Sequence, residues 1–229
     1  MRFVSIIGDS ISTYEGFNPA GYSVFYNCQM QEKNHLNSVY DTWWAKVNQA
    51  LNAYICVNNS YSGSRVAGLG FPAASSEIRT GALHTSHHTP DIILIYIGFN
   101  DFGHGTPIKA KGLRHFFTKD MLFFEDAYSK MLSRIKRNYP NSIIVCATLM
   151  RTYIAGVNYW SFPDQFAGIS FNEYNQAIRR ICRKEGCYLA DIAALNMQYE
   201  TLDGSHPTNN GHTTLYQAWI HTLSELGLL

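Results

Sequence analysis

Apolar residues along this chain follow two rhythms: short continuous runs, and longer stretches with three-and-four spacing. The runs at 2–8 (RFVSIIG), 54–58 (YICVN), 91–97 (DIILIYI), 142–148 (SIIVCAT) and 187–192 (CYLADI) are rich in β-branched residues, and each predicts a strand. Three of these are apolar on both faces, as strands covered on both sides of a parallel sheet must be. The second rhythm predicts helices. Phe124, Tyr128, Met131, Leu132, Ile135 and Tyr139 share one face of 124–139, and Pro140 stops that helix. Phe171, Tyr174, Ile178 and Ile181 do the same over 171–185, and Leu215, Ala218, Trp219, Thr222, Leu223 and Leu226 form a stripe near the C-terminus. Trp44, Val47 and Leu51 mark another helix, with Asp41 or Thr42 as its cap. The alternation predicts an α/β sandwich around a five-stranded parallel sheet, and 229 residues suit one domain over 1–229. Irregular stretches remain at 11–40, 102–123 and 149–170, a length at which loops are usually functional or mobile.

Composition narrows the class. Hydrophobic residues make up 46% and charged residues 15%, the balance of an ordered globular protein. A net charge of +1 predicts no broad attraction to nucleic acid or an anionic membrane. The basic groups Arg134, Lys136, Arg137 and Arg179, Arg180, Arg183, Lys184 fall on predicted helices and read as solvated faces. The five cysteines lack zinc spacing and a C-x-x-C pair, and Cys56 and Cys146 sit in apolar runs as small core residues. Residues 1–8 have no signal-peptide pattern and no stretch is long enough to cross a membrane, so a cytoplasmic address with reduced thiols is expected.

The chemistry gathers where strands end. In an open parallel sheet, ligands bind beyond the carboxyl ends of the strands. Asp9 and Ser10 follow the first strand, "NNSYSGSRV" with Gly63 follows the second, and "GFNDF" with Asn100 and Asp101 follows the third. Beyond the fifth comes "LDGSHPT", with Asp203 and His206. Singly, each has a bland account: a helix cap at Ser10, a turn at Gly63, an Asx turn at Asn100, a capping loop at His206. Together they supply what acyl transfer needs. A serine hydroxyl attacks only when a base takes its proton, and a histidine base needs an acceptor to fix its tautomer. Asp203 lies three residues from His206 and can be that acceptor. The N–H groups of Ser10 and Gly63 and the Asn100 amide are suitable oxyanion donors. Asp9 is expected to tie down the turn rather than to do chemistry.

These residues resemble the SGNH hydrolases, also called the GDSL esterase/lipase family. "GDSIS" is similar to the first block, with Ile11 where many members carry leucine, "NNSYSGSRV" to the second, "GFND" to the third and "DGSHPT" to the fifth. The resemblance implies a flavodoxin-like three-layer α/β/α fold with strand order 2-1-3-4-5. It also implies a Ser10–His206–Asp203 esterase forming an acyl-enzyme, without metal or cofactor.

The substrate is less sharply written. Aromatic residues make up 14%, and Tyr14, Phe17, Tyr22, Phe25, Tyr26, Tyr159, Trp160 and Phe162 fall in the long loops, where they suit either sugar stacking or loop packing. Arg151 is placed to bind a substrate oxygen or carboxylate, or else to pair with Asp164 or Glu173. Arg151, Tyr159 and Trp160 are therefore the substrate-binding candidates. Segment 113–124, with Arg114, His115, Lys119 and Asp120, suits a lid or a capping helix. A small acyl group, acetyl foremost, on a carbohydrate or small metabolite is favoured, with longer-chain lipase or thioesterase activity as the alternative. Two rivals come from other classes: a ligand-binding flavodoxin-like module using Ser10, Ile11, Ser12 and Thr13, and a metal site at His84, His87 and His88. The first leaves Asp203 and His206 without a purpose, and the second falls at the opposite rim of the sheet.

Overall fold

The computed structural model describes residues 1–109 and 120–229. Most of the lid candidate 113–124, including Arg114, His115, Lys119 and the Asp120 side chain, lies outside the described residues. The chain begins with β1 (Arg2–Gly8), then α1 (Cys28–Lys33), α2 (Trp43–Ala50), β2 (Ala53–Ser60) and α3 (Glu77–Gly81). β3 (Ile92–Tyr96), α4 (Phe99–Gly103), α5 (Phe124–Asn138) and β4 (Ile143–Ala147) follow. The last part holds β5 (Arg151–Ile154), β6 (Gln165–Phe166), β7 (Ile169–Ser170), α6 (Phe171–Glu185), β8 (Tyr188–Ala190), β9 (Gln198–Thr201) and α7 (Asn209–Glu225).

The main sheet has five parallel strands in the order β2-β1-β3-β4-β8, the expected 2-1-3-4-5 pattern. Its centre is dry: Val4, Ile6 and Ile7 of β1 and all five residues of β3 are buried. Both faces are covered, which is why these strands are apolar without alternation. Chain travel reverses at β1, so right-handed crossovers put α2 on one face and α5 and α6 on the other. α2 packs against α7, and α5 against α6 and α3. The helical stripes read from sequence are the buried faces, from Phe124 to Ile135 on α5 with Tyr139 just past its end, and from Phe171 to Ile181 on α6. The cap of α2 is Thr42, whose side chain accepts the Ala45 N–H. Trp44 is buried, and so is Trp43, whose ring stacks on Trp219 of α7 with centroids 5.1 Å apart.

Three features depart from the pattern. Segment 149–170 is not wholly irregular: β5 pairs in parallel with β9, Arg151 opposite Gln198, and β6 and β7 form a short hairpin. The stretch carrying Asp203 and His206 therefore leaves β9 of a second, two-stranded sheet, not the fifth strand of the main one. The helices α1, α3 and α4 have 6, 5 and 5 residues, too short to show a helical period. Cys146 is buried as expected, whereas Cys56 is half-buried and its thiol donates to the His88 carbonyl at 3.2 Å. Among the described residues no helix is long and apolar enough to cross a membrane.

Candidate active site

Asp9 ends β1 by capping a 3-10 turn over Ser10–Ser12, its side chain accepting the Ile11 N–H at 3.1 Å. The turn is pinned from beneath: the Asn58 amide donates to Ser12 O at 2.8 Å, and the Trp43 indole N–H to Ser12 Oγ at 3.2 Å. Ser10 is thereby fixed at the rim with its hydroxyl toward His206, from which it is 196 positions distant in sequence. His206 Nε2 lies 2.8 Å from Ser10 Oγ, and Nδ1 lies 2.7 Å from Asp203 Oδ2. An ionised carboxylate only accepts, so Nδ1 carries the proton and Nε2 is left to accept from the serine.

The loop bearing this pair is locally self-consistent. Asp203 Oδ1 accepts the N–H groups of Ser205 and His206 at 2.9 and 2.8 Å. Gly204 has φ +87, and the Trp160 ring lies 3.0 Å from where a β-carbon would stand. Two buried tyrosines hold the loop from below. The Tyr199 hydroxyl donates to Ser205 O at 2.9 Å, and that of Tyr26 to Pro207 O at 2.7 Å. Burial pushes the Asp203 carboxyl up, but the hydrogen bond and charge of His206 and the two backbone N–H groups outweigh it and hold it down to about 2. Asp203 is therefore a charged acceptor across the neutral range.

Gly63 and Asn100 line the same cleft. Gly63 has φ +78, a conformation that favours glycine, in the turn following β2. Asn100, in the first turn of α4, donates to Ser64 O at 3.0 Å through its side-chain amide. Asp101 holds the same loop, its carboxylate accepting the Val66 and Ala67 N–H groups at 2.7 and 3.1 Å. Burial, working against those two bonds, pushes Asp101 up to about 7, and pushes Asp9 up to about 7 against the Ile11 bond. Arg79 escaped the sequence reading. Wholly buried on α3, it donates to Gly8 O, Asn59 O, Asn59 Oδ1, Ser64 Oγ and Pro72 O at 2.6–3.1 Å. Burial lowers its guanidinium to about 10. One arginine in a polar stretch carries no sequence signal that distinguishes it from a surface residue.

Ser10, Gly63, Asn100, Asp203 and His206 meet in one cleft of about 530 Å³. Its remaining wall is largely aromatic, with Phe25, Phe99, Phe102, Trp160, Phe162 and Phe166, and no Lys or Arg lines it among the described residues. Of the substrate-binding candidates, Trp160 lines this cleft. Tyr159 is 93% exposed. Arg151 lies in a separate polar cleft and pairs with Asp164 at 2.6 Å, resolving the choice between Asp164 and Glu173. The other loop aromatics divide. Tyr14 and Tyr26 are buried, Phe17 and Tyr22 pack on other rings, and Phe25 and Phe162 face the cleft. At the far rim His84 bonds to the Tyr139 hydroxyl and His88 stacks on Phe3, and no group of His, Cys, Asp or Glu suited to a metal occurs among the described residues. Chemically, the cleft can pass a proton from a serine hydroxyl to an imidazole.

The comparisons with known proteins agree on the class. The model of the GDSL-like lipase/acylhydrolase family matches residues 2–155. A protein from Bacteroides ovatus described as a GDSL-like lipase is 25% identical over 98% of this chain and 99% of its own, with a TM-score of 0.75. Another so described, from Bacteroides uniformis, is 28% identical over 98% of this chain and 96% of its own, with a TM-score of 0.72. A family two carbohydrate esterase from Clostridium thermocellum, solved with cellohexaose, shares the fold at 19% identity and a TM-score of 0.55, over 100% of this chain and 65% of its own. No curated protein matches the chain in sequence. With a serine at the end of its first strand and a family match across most of its length, the chain belongs to the GDSL-like lipase/acylhydrolase family and is a serine ester hydrolase.

Proposed function

We propose that this hydrolase acts through a Ser10–His206–Asp203 triad and an acyl-enzyme, on short-acyl esters, acetyl foremost, of carbohydrates or small metabolites. The observation that carries the reading is the unbroken relay from Ser10 Oγ to Nε2 at 2.8 Å and from Nδ1 to Asp203 at 2.7 Å. In the first half-reaction His206 takes the hydroxyl proton as Oγ attacks the ester carbonyl. The oxyanion is met by the N–H groups of Ser10 and Gly63 and by the Asn100 amide. Collapse of the intermediate expels the alcohol, which receives the proton from His206, and leaves Ser10 acylated. Water then repeats the sequence, releasing the acid and restoring the serine. Asp203 stays ionised throughout and stabilises the imidazolium.

Several features support the substrate class. No Lys or Arg lies among the described lining of the cleft, which suits an uncharged ester. Trp160 lies along it as a flat apolar surface of the kind that stacks on sugar faces. A fold relative from Clostridium thermocellum carries cellohexaose. The same lining favours a second reading: Phe99, Phe102, Phe162 and Phe166 make an apolar wall that also suits a longer or aryl acyl group.

The test is turnover of p-nitrophenyl acetate by Ser10→Ala, with a panel of acetylated sugars, p-nitrophenyl esters of rising chain length and thioesters for the native protein. The expected result is loss of turnover in a variant that still folds, and a preference for acetyl over longer chains. Retained turnover would remove the nucleophile, and a maximum at long chains would select the second reading.

A further inference from the structure

His206 has a neighbour besides Ser10 and Asp203. The Phe25 ring lies flat against the imidazole, centroids 3.4 Å apart and planes 7° from parallel, and its other contacts include the substrate cleft. Phe25 belongs to the long loop after the nucleophile turn, and its backbone is anchored there. Its N–H donates to Thr13 Oγ1 at 2.9 Å, and the Thr13 hydroxyl donates to Ser10 O at 2.9 Å. Ser62 N–H donates to Ser23 O at 2.8 Å, tying the same loop to the Gly63 turn, and the hydroxyl of Tyr26 reaches Pro207 O. Residues 23–26 thus join the three segments that meet at the cleft.

We propose that Phe25 is a positioning residue for His206 that also favours the charged form of its ring during the reaction, an inference that rests on the triad reading. Hydrogen bonds at both nitrogens lie in the imidazole plane and resist sliding along it. A flat wall on one face resists tilting out of it, so Nε2 stays aimed at Ser10. The electronic part is separate. The face of a phenyl ring carries negative charge density and attracts a cation more than a neutral ring. His206 is neutral before attack and an imidazolium once it holds the serine proton. The stack therefore strengthens on the way to the tetrahedral intermediate, and its effect belongs in kcat rather than KM.

Pentafluorophenylalanine in place of Phe25 separates the parts, because it keeps the shape of the ring and reverses the sign of its face. Turnover of p-nitrophenyl acetate should lose about tenfold in kcat with KM within about twofold. Phe25→Tyr, which keeps an electron-rich face, should stay within about threefold of the native kcat, and the thermal midpoints should be unchanged. A fluorinated protein with native kcat, or a loss that appears only in KM, would overturn the proposal. Ser10→Ala is run alongside. Turnover surviving that change would bring down the triad reading and the role of Phe25 together, whereas strict dependence on Ser10 with an insensitive ring at 25 would bring down the role alone.

Discussion

Asn100 and Asp203 show how one residue's job is set by what already occupies its neighbours. One amide hydrogen of Asn100 is used on Ser64 O, which orients the side chain and leaves a second hydrogen on an amide that lines the cleft. On the proposed mechanism that hydrogen meets charge that exists only in the transition state. Asn100→Ala should therefore lower kcat by about 100- to 1,000-fold while KM moves little, as steady-state kinetics on a p-nitrophenyl ester would read. A fall confined to KM would place Asn100 in ground-state binding instead. Ser10, Asn100, Asp203 and His206 were legible in the sequence because each sits in a short block whose residue types match one chemical task. Phe25 was legible only as one of eight loop aromatics, since nothing in an irregular segment tells a ring on an imidazole from a ring that packs a loop.

Among elements, the short helix α3 has an importance out of proportion to its length. It carries Arg79, whose single guanidinium satisfies carbonyls at the ends of β1 and β2 and the side chain of Ser64 next to Gly63. A lysine ammonium cannot reach five acceptors in a planar fan. Arg79→Lys should leave at least two of them buried without donors and cost about 3 kcal/mol of unfolding free energy or more, seen as a lower urea midpoint. A midpoint equal to that of the native protein would mean that water or backbone movement replaces the guanidinium. The main strands were legible as continuous apolar runs, and the long helices by the period that one-sided burial imposes on consecutive residues. α3 and α4 were not, being too short to repeat a helical period, and β5 and β9 were not, being short strands defined by each other across a long stretch of chain.

At the scale of the whole molecule, folding buries carboxyl groups in two opposite ways. Asp203, held down to about 2 from an ordinary 3.8, is ionised in the folded chain before the unfolded one. Its contribution is present above about pH 4 and lost as pH falls toward 2, and partial exposure keeps it modest. Asp9 and Asp101, pushed up to about 7, act in the other direction. Between about pH 4 and 7 the unfolded chain has released their protons and the folded chain retains them, so stability falls as pH rises. One oxygen of Asp9 is buried without a hydrogen-bond partner, and Asp9→Asn keeps the acceptor for Ile11 while removing the ionisation. Urea unfolding at about pH 4.5 and about pH 7 should show a shallower decline for the variant than for the native protein. Equal slopes would mean that Asp9 does not titrate in that window.

The main strands, the helical faces and the blocks that carry Ser10, Asn100 and His206 follow from the sequence by itself, because apolar runs, helical periods and short motifs are written in neighbouring residues, whereas the strand order was only what the family resemblance implied. The approach of Ser10 to His206 across 196 positions had to be inferred from the rule that strand ends converge on one rim. Only the tertiary structure decided that Phe25 lies against the imidazole, that Arg79 is buried among carbonyls, that Arg151 pairs with Asp164, and that β9 delivers the histidine loop. Each of these is a contact between remote segments with no local pattern of its own. Such contacts exist only after the loops have been closed, and residue type alone does not choose among the partners that closure makes available.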